Sequence, residues 1–212
     1  MVCTYCIVPT TRGKEVSRPP EVILDEVRRL AADGVQEITF LGQTVNSYGK
    51  RLGAGVGLDT LLLGVEEIDW IHSGHFITLH TRFMRAKLIQ AMADCSKVMN
   101  YLHLPVQSGS DSMLARMKRT YDRDFYLKCI ERLREKMPDI TLATDFIVGF
   151  PGETDEEFEE SLSLVKEVGF DSGYVFQYSP RPGTVSADHL VDDIPLEVKK
   201  ERNHLLLDAL HT

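Results

Sequence analysis

The sequence predicts an α/β fold with parallel strands, because strand-like and helix-like segments alternate along its 212 residues. Five segments are expected to be strands: 35–41, 75–80, 101–106, 140–148 and 173–178. Helices are expected from Met113 onward and at 20–33, 58–68, 86–93, 125–137, 155–167 and 196–210. In parallel folds ligands bind where the strands end, so the loops after the strands are the predicted site.

The first half of the chain carries clear start and stop signals. Pro19-Pro20 opens a helix whose apolar residues recur at helical spacing, and Gly34 ends it. The segment 35–41 then predicts a strand that delivers Gly42 and Gln43 at its end. Four glycines within residues 49–57 predict a mobile loop before the next helix.

The second half places polar and glycine-rich segments after two strands. Residues 107–110 follow one strand, and the turn 149–153 follows the next. Thr154 and Glu157 form a capping box that starts the helix over 155–167. By themselves both segments are also compatible with ordinary turns, although glycines there let a ligand approach the backbone closely.

Length and composition limit the possible functions. We expect one domain over residues 1–212, long enough to bury a sizeable core. No apolar run is long enough to span a membrane and no signal peptide is visible, so we expect a cytoplasmic protein. The net charge of −8 gives weak support for nucleic-acid binding. We interpret the basic residues of each local cluster as solvated surface: Arg12, Lys14, Arg18, Arg116, Lys118, Arg119 and Arg123.

Cys3 and Cys6 form a CxxC pair, which can hold part of a metal centre, act as a redox pair, or be incidental. A complete zinc site would need two more ligands. Cys95 and Cys129 lie in helix patterns and are expected to be small buried hydrophobic residues. A redox pair usually precedes a helix, whereas Pro9 and the residues after it predict a loop.

Several segments, in order, resemble one family, the MiaB-type radical S-adenosylmethionine (SAM) methylthiotransferases. The matching segments are CTYCIVP (3–9), TRG (11–13), SRP (17–19), LGQTVNSY (41–48), LHLPVQSGSD (102–111), DFIVGFPGET (145–154), YS (178–179) and RPGT (181–184). Together they extend from Cys3 to about Leu207, nearly the whole chain. The combination is specific, although no single segment is.

The resemblance implies a partial parallel (β/α)6 barrel, similar to a TIM barrel and of radical SAM type, with the first strand missing. It also implies a 4Fe-4S cluster held by a CxxxCxxC motif, whose first cysteine would fall before Met1. The chain is therefore expected to be the radical SAM core of a longer protein. The N-terminal domain with its auxiliary 4Fe-4S cluster and the C-terminal TRAM-like barrel are expected in the full-length protein only.

The family's activity is the insertion of a methylthio group into an unactivated C–H bond, with SAM as radical source and methyl donor. The implied substrate is isopentenyladenosine next to the tRNA anticodon. Threonylcarbamoyladenosine in tRNA and an aspartate of a ribosomal protein are alternative substrates. A non-catalytic SAM-binding fragment and a zinc or dithiol protein are alternative functions. The implied partners are tRNA and a reductant such as flavodoxin or ferredoxin, with no membrane, and we expect a monomer.

The resemblance also implies roles for individual residues. The two cysteines, Cys3 and Cys6, would be cluster ligands, and Tyr5 would pack beside the adenine of SAM. Arg12 and Arg18 would bind the SAM carboxylate or RNA phosphate. The remaining implied SAM contacts are Gly42 and Gln43 for the methionine amino group, Gln107, Ser108 and Ser110 for the ribose or carboxylate, and Ile147 and Gly149 for the adenine.

Overall fold

The computed structural model describes residues 3–77 and 79–211. The strands in this part of the chain are β1 (Glu37–Phe40), β2 (Ser73–Phe76), β3 (Tyr101–His103), β4 (Thr141–Val148) and β5 (Ser172–Gln177). The α-helices are α1 (Val8–Arg12), α2 (Pro20–Ala32), α3 (Leu58–Glu66), α4 (Ala86–Asp94), α5 (Asp111–Arg116), α6 (Arg123–Lys136), α7 (Asp155–Val168), α8 (Val185–His189) and α9 (Leu196–Leu210). Short 3-10 turns lie at Val45–Ser47 and Thr81–Phe83.

The predicted alternation of strands and helices is confirmed, with differences at β2, α8 and α1. Strand β2 begins at Ser73 and ends at Phe76, two residues earlier than predicted at its start. Thr78, inside the predicted strand 75–80, lies outside the described residues, as do Met1, Val2 and Thr212. The short helix α8 follows the turn-rich segment 179–183 and was not predicted.

The loop predicted after Cys6 is wrong, because Val8–Arg12 form the short helix α1. Pro9 fits in the first turn, where backbone N–H groups have no partner inside the helix. Gly13 ends the helix with a φ of 70°, and its N–H donates to the Pro9 carbonyl at 3.1 Å. Pro9 at the start and Gly13 at the end therefore favour a helix here. The two threonines do not prevent it, because threonine is only mildly unfavourable in helices.

The described residues form two compact units. The first takes its residues from Met1–Lys14, Pro105–Ile130 and Leu142–Thr212, and the second from Glu15–Leu104 and Glu131–Thr141.

The first unit is built around the parallel pair β4 and β5, with pairing from Ala143↔Ser172 to Val148↔Gln177. Helix α7 connects the two strands. The predicted capping box at its start is confirmed, since the Thr154 hydroxyl accepts from Glu157 N and the Glu157 carboxylate accepts from Thr154 N. Helix α9 packs against β5. This arrangement brings the residues that follow β4 next to those that follow β5.

The second unit contains the parallel pair β1 and β2, with pairing from Glu37↔Ser73 to Phe40↔Phe76. Helix α3 connects these strands, and apolar residues of α2 and α3 pack on them. The buried members of that cluster are Val27, Ala31, Ile38, Val65, Ile68 and Ile71. Cys95 of this unit is 4% exposed and Cys129 of the first unit is 5% exposed, so the prediction that both are small core residues is confirmed.

Among the described residues, no helix combines the length and the apolar character needed to cross a lipid bilayer.

Candidate functional site

The two cysteines near the start of the chain lie in a tight turn that is attached to distant parts of the first unit. Cys6 N donates to the Cys3 carbonyl at 3.1 Å, and both thiols are half-buried. Thr4, between them, donates through its N–H to Met117 O at 3.1 Å and through its hydroxyl to Arg116 O at 3.0 Å. Thr4 O accepts from Ser186 N at 2.8 Å. These bonds hold the turn at the end of α5.

Arg119 joins this turn through its side chain. Its Nη1 donates to the Cys3 Sγ at 3.4 Å, its Nε to the Tyr121 hydroxyl at 2.9 Å and its Nη2 to Pro105 O at 2.9 Å. Burial alone would lower the pKa of Arg119, but Tyr121, Tyr5 and Cys3 outweigh burial and raise it. The guanidinium is therefore a permanent positive charge held against one of the two thiols.

The interpretation of the second basic cluster as solvated surface is wrong for its arginines. Besides the contacts of Arg119, Arg116 donates to Gly152 O at 2.6 Å and is paired with Glu157. Arg123 donates to Glu160 O at 2.6 Å and to the Glu167 carboxylate at 2.6 Å. The sequence shows Arg119 as a basic residue three positions after α5. It does not show that the partner of Arg119 is Cys3, which lies 116 residues away.

Tyr5 belongs to an aromatic and apolar cluster beneath the cysteine turn. Its ring meets Phe150 edge-on at a centroid distance of 6.2 Å, and Phe150 meets Tyr178 at 4.9 Å. The members of the cluster are Tyr5, Met113, Met117, Ile147, Phe150 and Tyr178. Two predicted adenine contacts, Tyr5 and Ile147, are thereby brought together. Burial raises the pKa of the Tyr5 hydroxyl, which therefore stays protonated at neutral pH.

Gln107 is the hydrogen-bond partner of Tyr5. Its Oε1 accepts from the Tyr5 hydroxyl at 3.0 Å. Its backbone has a φ of 78°, in the left-handed region that residues other than glycine rarely adopt. Two backbone bonds hold this conformation: Gln107 N donates to Asp145 O at 2.8 Å, and Ile147 N donates to Gln107 O at 2.9 Å. Such an outlier, held from three sides beside a candidate ligand site, is typical of functional positions.

Ser108 and Ser110, the other predicted ligand contacts on this loop, are buried and already bonded. The Ser108 hydroxyl lies 3.3 Å from the Ser161 hydroxyl and accepts from Ser110 N at 3.2 Å. The Ser110 hydroxyl lies 3.0 Å from that of Ser112. Gly109 packs directly on the backbone of α7 at Glu160, where a side chain would not fit. The loop is thus fixed to α7.

Gly149 occupies the corresponding loop after β4. Its φ is 67°, and its N–H donates to the Glu153 carboxylate at 2.6 Å. Arg202 of α9 pairs with the same carboxylate at 2.8 Å. Burial raises the pKa of Glu153, while the Gly149 N–H and Arg202 act in the opposite direction. A buried ion pair thus fixes this turn, and sequence reasoning did not identify Arg202 because it lies 49 residues away.

The remaining predicted residues lie in less constrained places. Arg12 is exposed at the end of α1. In the second unit, Gly42 is exposed and Gln43 half-buried just after β1. Arg18, in the same unit, is paired with Glu26 at 2.6 Å, and its carbonyl accepts from the Tyr48 hydroxyl at 2.7 Å.

The chemistry of the cysteine turn fits part of an iron–sulfur site. Two thiols lie three residues apart, and Cys3 already accepts an N–H donor of the kind that bonds to cluster sulfur. Nowhere in residues 3–77 and 79–211 do three or more His, Cys, Asp or Glu side chains come together as a metal site. The described residues therefore offer two neighbouring thiols at this turn and no complete zinc site.

The neighbouring cluster fits an organic ligand. The Tyr178 side chain is buried, and among the described residues its hydroxyl has no hydrogen-bond partner. An unsatisfied buried hydroxyl is unfavourable unless a bound group completes it. Together with the half-buried Tyr5 ring, this hydroxyl suits a ligand that has both a flat aromatic part and polar groups.

Comparison with known proteins identifies a family. The family model described as the radical SAM superfamily matches residues 1–165. A protein of Bacillus subtilis (strain 168), named tRNA-2-methylthio-N(6)-dimethylallyladenosine synthase, is 52% identical over 201 residues, which are 94% of this chain and 39% of that protein. A protein of the same name from Caldicellulosiruptor saccharolyticus is 50% identical over 200 residues, 94% of this chain and 42% of that protein. The chain thus spans about two-fifths of the length of these curated relatives.

Solved structures show the same fold at low sequence identity. The radical SAM methyltransferase TsrM from Kitasatospora setae has a TM-score of 0.71 at 15% identity, covering 88% of this chain and 36% of that chain. Coproporphyrinogen III oxidase (HemN) from Escherichia coli, a radical SAM enzyme, has a TM-score of 0.65 at 19% identity, covering 98% of this chain and 48% of that chain. The predicted fold class is therefore confirmed.

Proposed function

The chain belongs to the radical SAM superfamily, and from that premise we propose that it is the radical SAM core of a tRNA methylthiotransferase. The proposed reaction adds a methylthio group to isopentenyladenosine next to the anticodon. The name shared by its relatives, with identities of 50% and 52%, supports this substrate. The observation that carries the proposal is the anchored turn that presents Cys3 and Cys6 beside the Tyr5 cluster.

In this proposal Cys3 and Cys6 hold two irons of a 4Fe-4S cluster, and SAM binds beside Tyr5. A cluster held there would supply the electron for reductive cleavage of SAM. Arg119 holds the Cys3 sulfur through its N–H donor. Gln107 fixes the orientation of the Tyr5 ring through the hydroxyl bond. The Glu153–Arg202 pair keeps the Gly149 turn in place at the adenine side.

Further parts of the proposal come from the family and from the tRNA substrate. The single domain over 1–212, the roles of Gly42 and Gln43, and the RNA or SAM carboxylate contacts of Arg12 and Arg18 stay predictions. A low-potential donor such as flavodoxin or ferredoxin, a monomeric state and a cytoplasmic location complete the proposal. An auxiliary 4Fe-4S cluster belongs to the predicted full-length protein.

One structural observation favours a second candidate, a dithiol–disulfide pair. Helix α1 begins two residues after Cys6, so the sequence argument that no helix follows the pair no longer holds. The two candidates differ in metal content. A radical SAM core takes up iron and sulfide, whereas a dithiol pair takes up neither and cycles between thiol and disulfide.

The test is anaerobic reconstitution with iron and sulfide, followed by addition of SAM, a chemical reductant and an RNA containing isopentenyladenosine. From this chain we expect bound iron and sulfide and 5′-deoxyadenosine. A methylthio-modified base, detected by mass spectrometry, is expected when the assay is repeated with the full-length protein that carries the auxiliary cluster. Cys6→Ala should lose the iron and all product, because a cluster cannot be held by one thiolate. Cys129→Ala, in the core, is the matched control and should keep the iron. Zinc or no metal in the reconstituted chain contradicts the proposal, as does full turnover by Cys6→Ala.

A further inference from the structure

Strand β5 presents two large aromatic side chains to solvent. Tyr174 is 60% exposed and Phe176 is 52% exposed. Their rings are nearly parallel, with a centroid distance of 6.4 Å and an interplanar angle of 23°. A single exposed aromatic residue is ordinary, but a stacked exposed pair on one strand is an unusual use of apolar surface.

The pair lies on the face of the sheet that α9 does not cover. Gly173, the residue between the exposed positions, faces α9 so closely that an added Cβ would lie 2.8 Å from the Leu210 side chain. Since successive side chains of a strand point to opposite faces, Tyr174 and Phe176 point away from α9. We call this side of β4 and β5, on which both aromatic side chains are more than half exposed, the open face.

The open face continues into the proposed SAM site. In the parallel register, Tyr174 pairs with Asp145 and Phe176 pairs with Ile147. Paired residues of neighbouring strands point to the same side of a sheet. Ile147 is half-buried and packs against the cluster that contains Tyr5. The aromatic pair is therefore next to the residues proposed to contact adenosine in SAM.

We propose that Tyr174 and Phe176 form a stacking platform for the substrate nucleobase, and this inference rests on the proposed function. A prenylated purine offers a flat π face to aromatic rings and an apolar side chain to Ile147, which matches the chemistry of this face. Aromatic side chains bind single-stranded bases by stacking in many nucleic-acid proteins. The platform also explains how a chain with a net charge of −8 recognises RNA at the reacting base.

The test measures RNA binding by the reconstituted chain with the double variant Tyr174→Leu/Phe176→Leu. The probe is a fluorescent anticodon stem–loop RNA that carries isopentenyladenosine, and its dissociation constant is read by anisotropy. We expect the double variant to bind roughly 5- to 150-fold more weakly, the range for loss of one stacked base. Phe176→Tyr keeps an aromatic ring and should bind within about twofold of the parent chain.

The matched control is Phe125→Leu, since Phe125 is 41% exposed and lies on α6 and not on β5. We expect this variant to bind the RNA as the parent chain does. The platform is wrong if the double variant binds unchanged, or if Phe125→Leu loses as much affinity as the double variant. The single variants replace the double one if its thermal unfolding shows loss of structure. A parent chain that binds neither the modified nor the unmodified RNA contradicts the proposed function itself, and the platform with it.

Discussion

The chain contains two pairs of cysteines in opposite surroundings. Cys3 and Cys6 are half-buried in a turn made of backbone hydrogen bonds, with an arginine N–H on one sulfur. Cys95 and Cys129 are buried, with exposed fractions of 4% and 5%. The residue type is the same, so the difference in expected chemistry comes from access and from the neighbouring groups. A thiol can react or bind a metal only where the fold leaves it accessible.

Alkylation of the unloaded chain gives the largest expected contrast. Burial, with the nearby Glu66 and Asp94, raises the pKa of the Cys95 thiol to about 11. At pH 8 its thiolate fraction is then on the order of 100-fold below that of an ordinary cysteine, and only the thiolate reacts. We expect Cys3 and Cys6 to be labelled first by iodoacetamide in time-resolved peptide mass spectrometry.

The pH dependence sharpens this contrast. Between pH 8 and pH 10 the labelling of Cys95 should rise about tenfold for each pH unit, because its thiolate fraction rises in that proportion below the pKa. An exposed cysteine levels off above a pH of about 8.5. If Cys95 were labelled at pH 8 as fast as Cys6, the proposed difference in thiol reactivity between the two pairs would be wrong.

Replacement of Arg119 tests whether its N–H donor stabilises the proposed cluster site at Cys3. In Arg119→Met, Cys3 loses its N–H donor, and hydrogen bonds to charged acceptors contribute about 1.5–3 kcal/mol. We expect iron to be released to a chelator about tenfold faster or more, measured by the absorbance of the iron–chelator complex. Lys118→Met, one residue earlier and exposed, should release iron at the parent rate. Equal rates in the parent chain and Arg119→Met would show that this donor does not stabilise the site.

Truncation to alanine gives the smallest effect. Here the buried pair is more sensitive than Cys3 and Cys6, because the measured quantity is the free energy of unfolding. Cys95→Ala removes a buried sulfur and should lower the free energy of unfolding by about 1 kcal/mol. In the unloaded chain Cys6→Ala removes a half-exposed one and should change it by less than about 0.5 kcal/mol. Urea unfolding followed by circular dichroism measures both. A larger loss for Cys6→Ala would mean that the turn has a structural role without metal.

Much of the fold could be predicted because its signals are local. Helix α2 is bounded by Pro20 and Gly34, and α7 by its capping box, so periodicity and end signals agree with the structure. Strand β2 was misplaced because a four-residue strand carries little period-two signal. Helix α1 was missed because five residues are too few for a periodic pattern.

Of the residues at the candidate site, the sequence identified only those that the family resemblance includes. The resemblance identified Tyr5, Gln107 and Ile147, and the structure brings these three together. Arg119 and Arg202 were not identified, because their partners are distant in sequence and a single chain gives no evidence of such pairing. The exposure of Phe176 depends on which face of β5 α9 covers, and the alternation of side chains does not determine that face.

The anchoring of Thr4 to Arg116, Met117 and Ser186 also has a consequence for biosynthesis. The ribosome makes the cysteine turn before its last anchor, Ser186, which is added 182 residues after Thr4. At about 5–20 residues per second this delay is roughly 10 to 40 s. During that time the two thiols emerge without their final neighbours and are open to oxidation or to stray metal ions. Loading of a cluster is therefore expected only after Ser186 has been made and has bonded to Thr4.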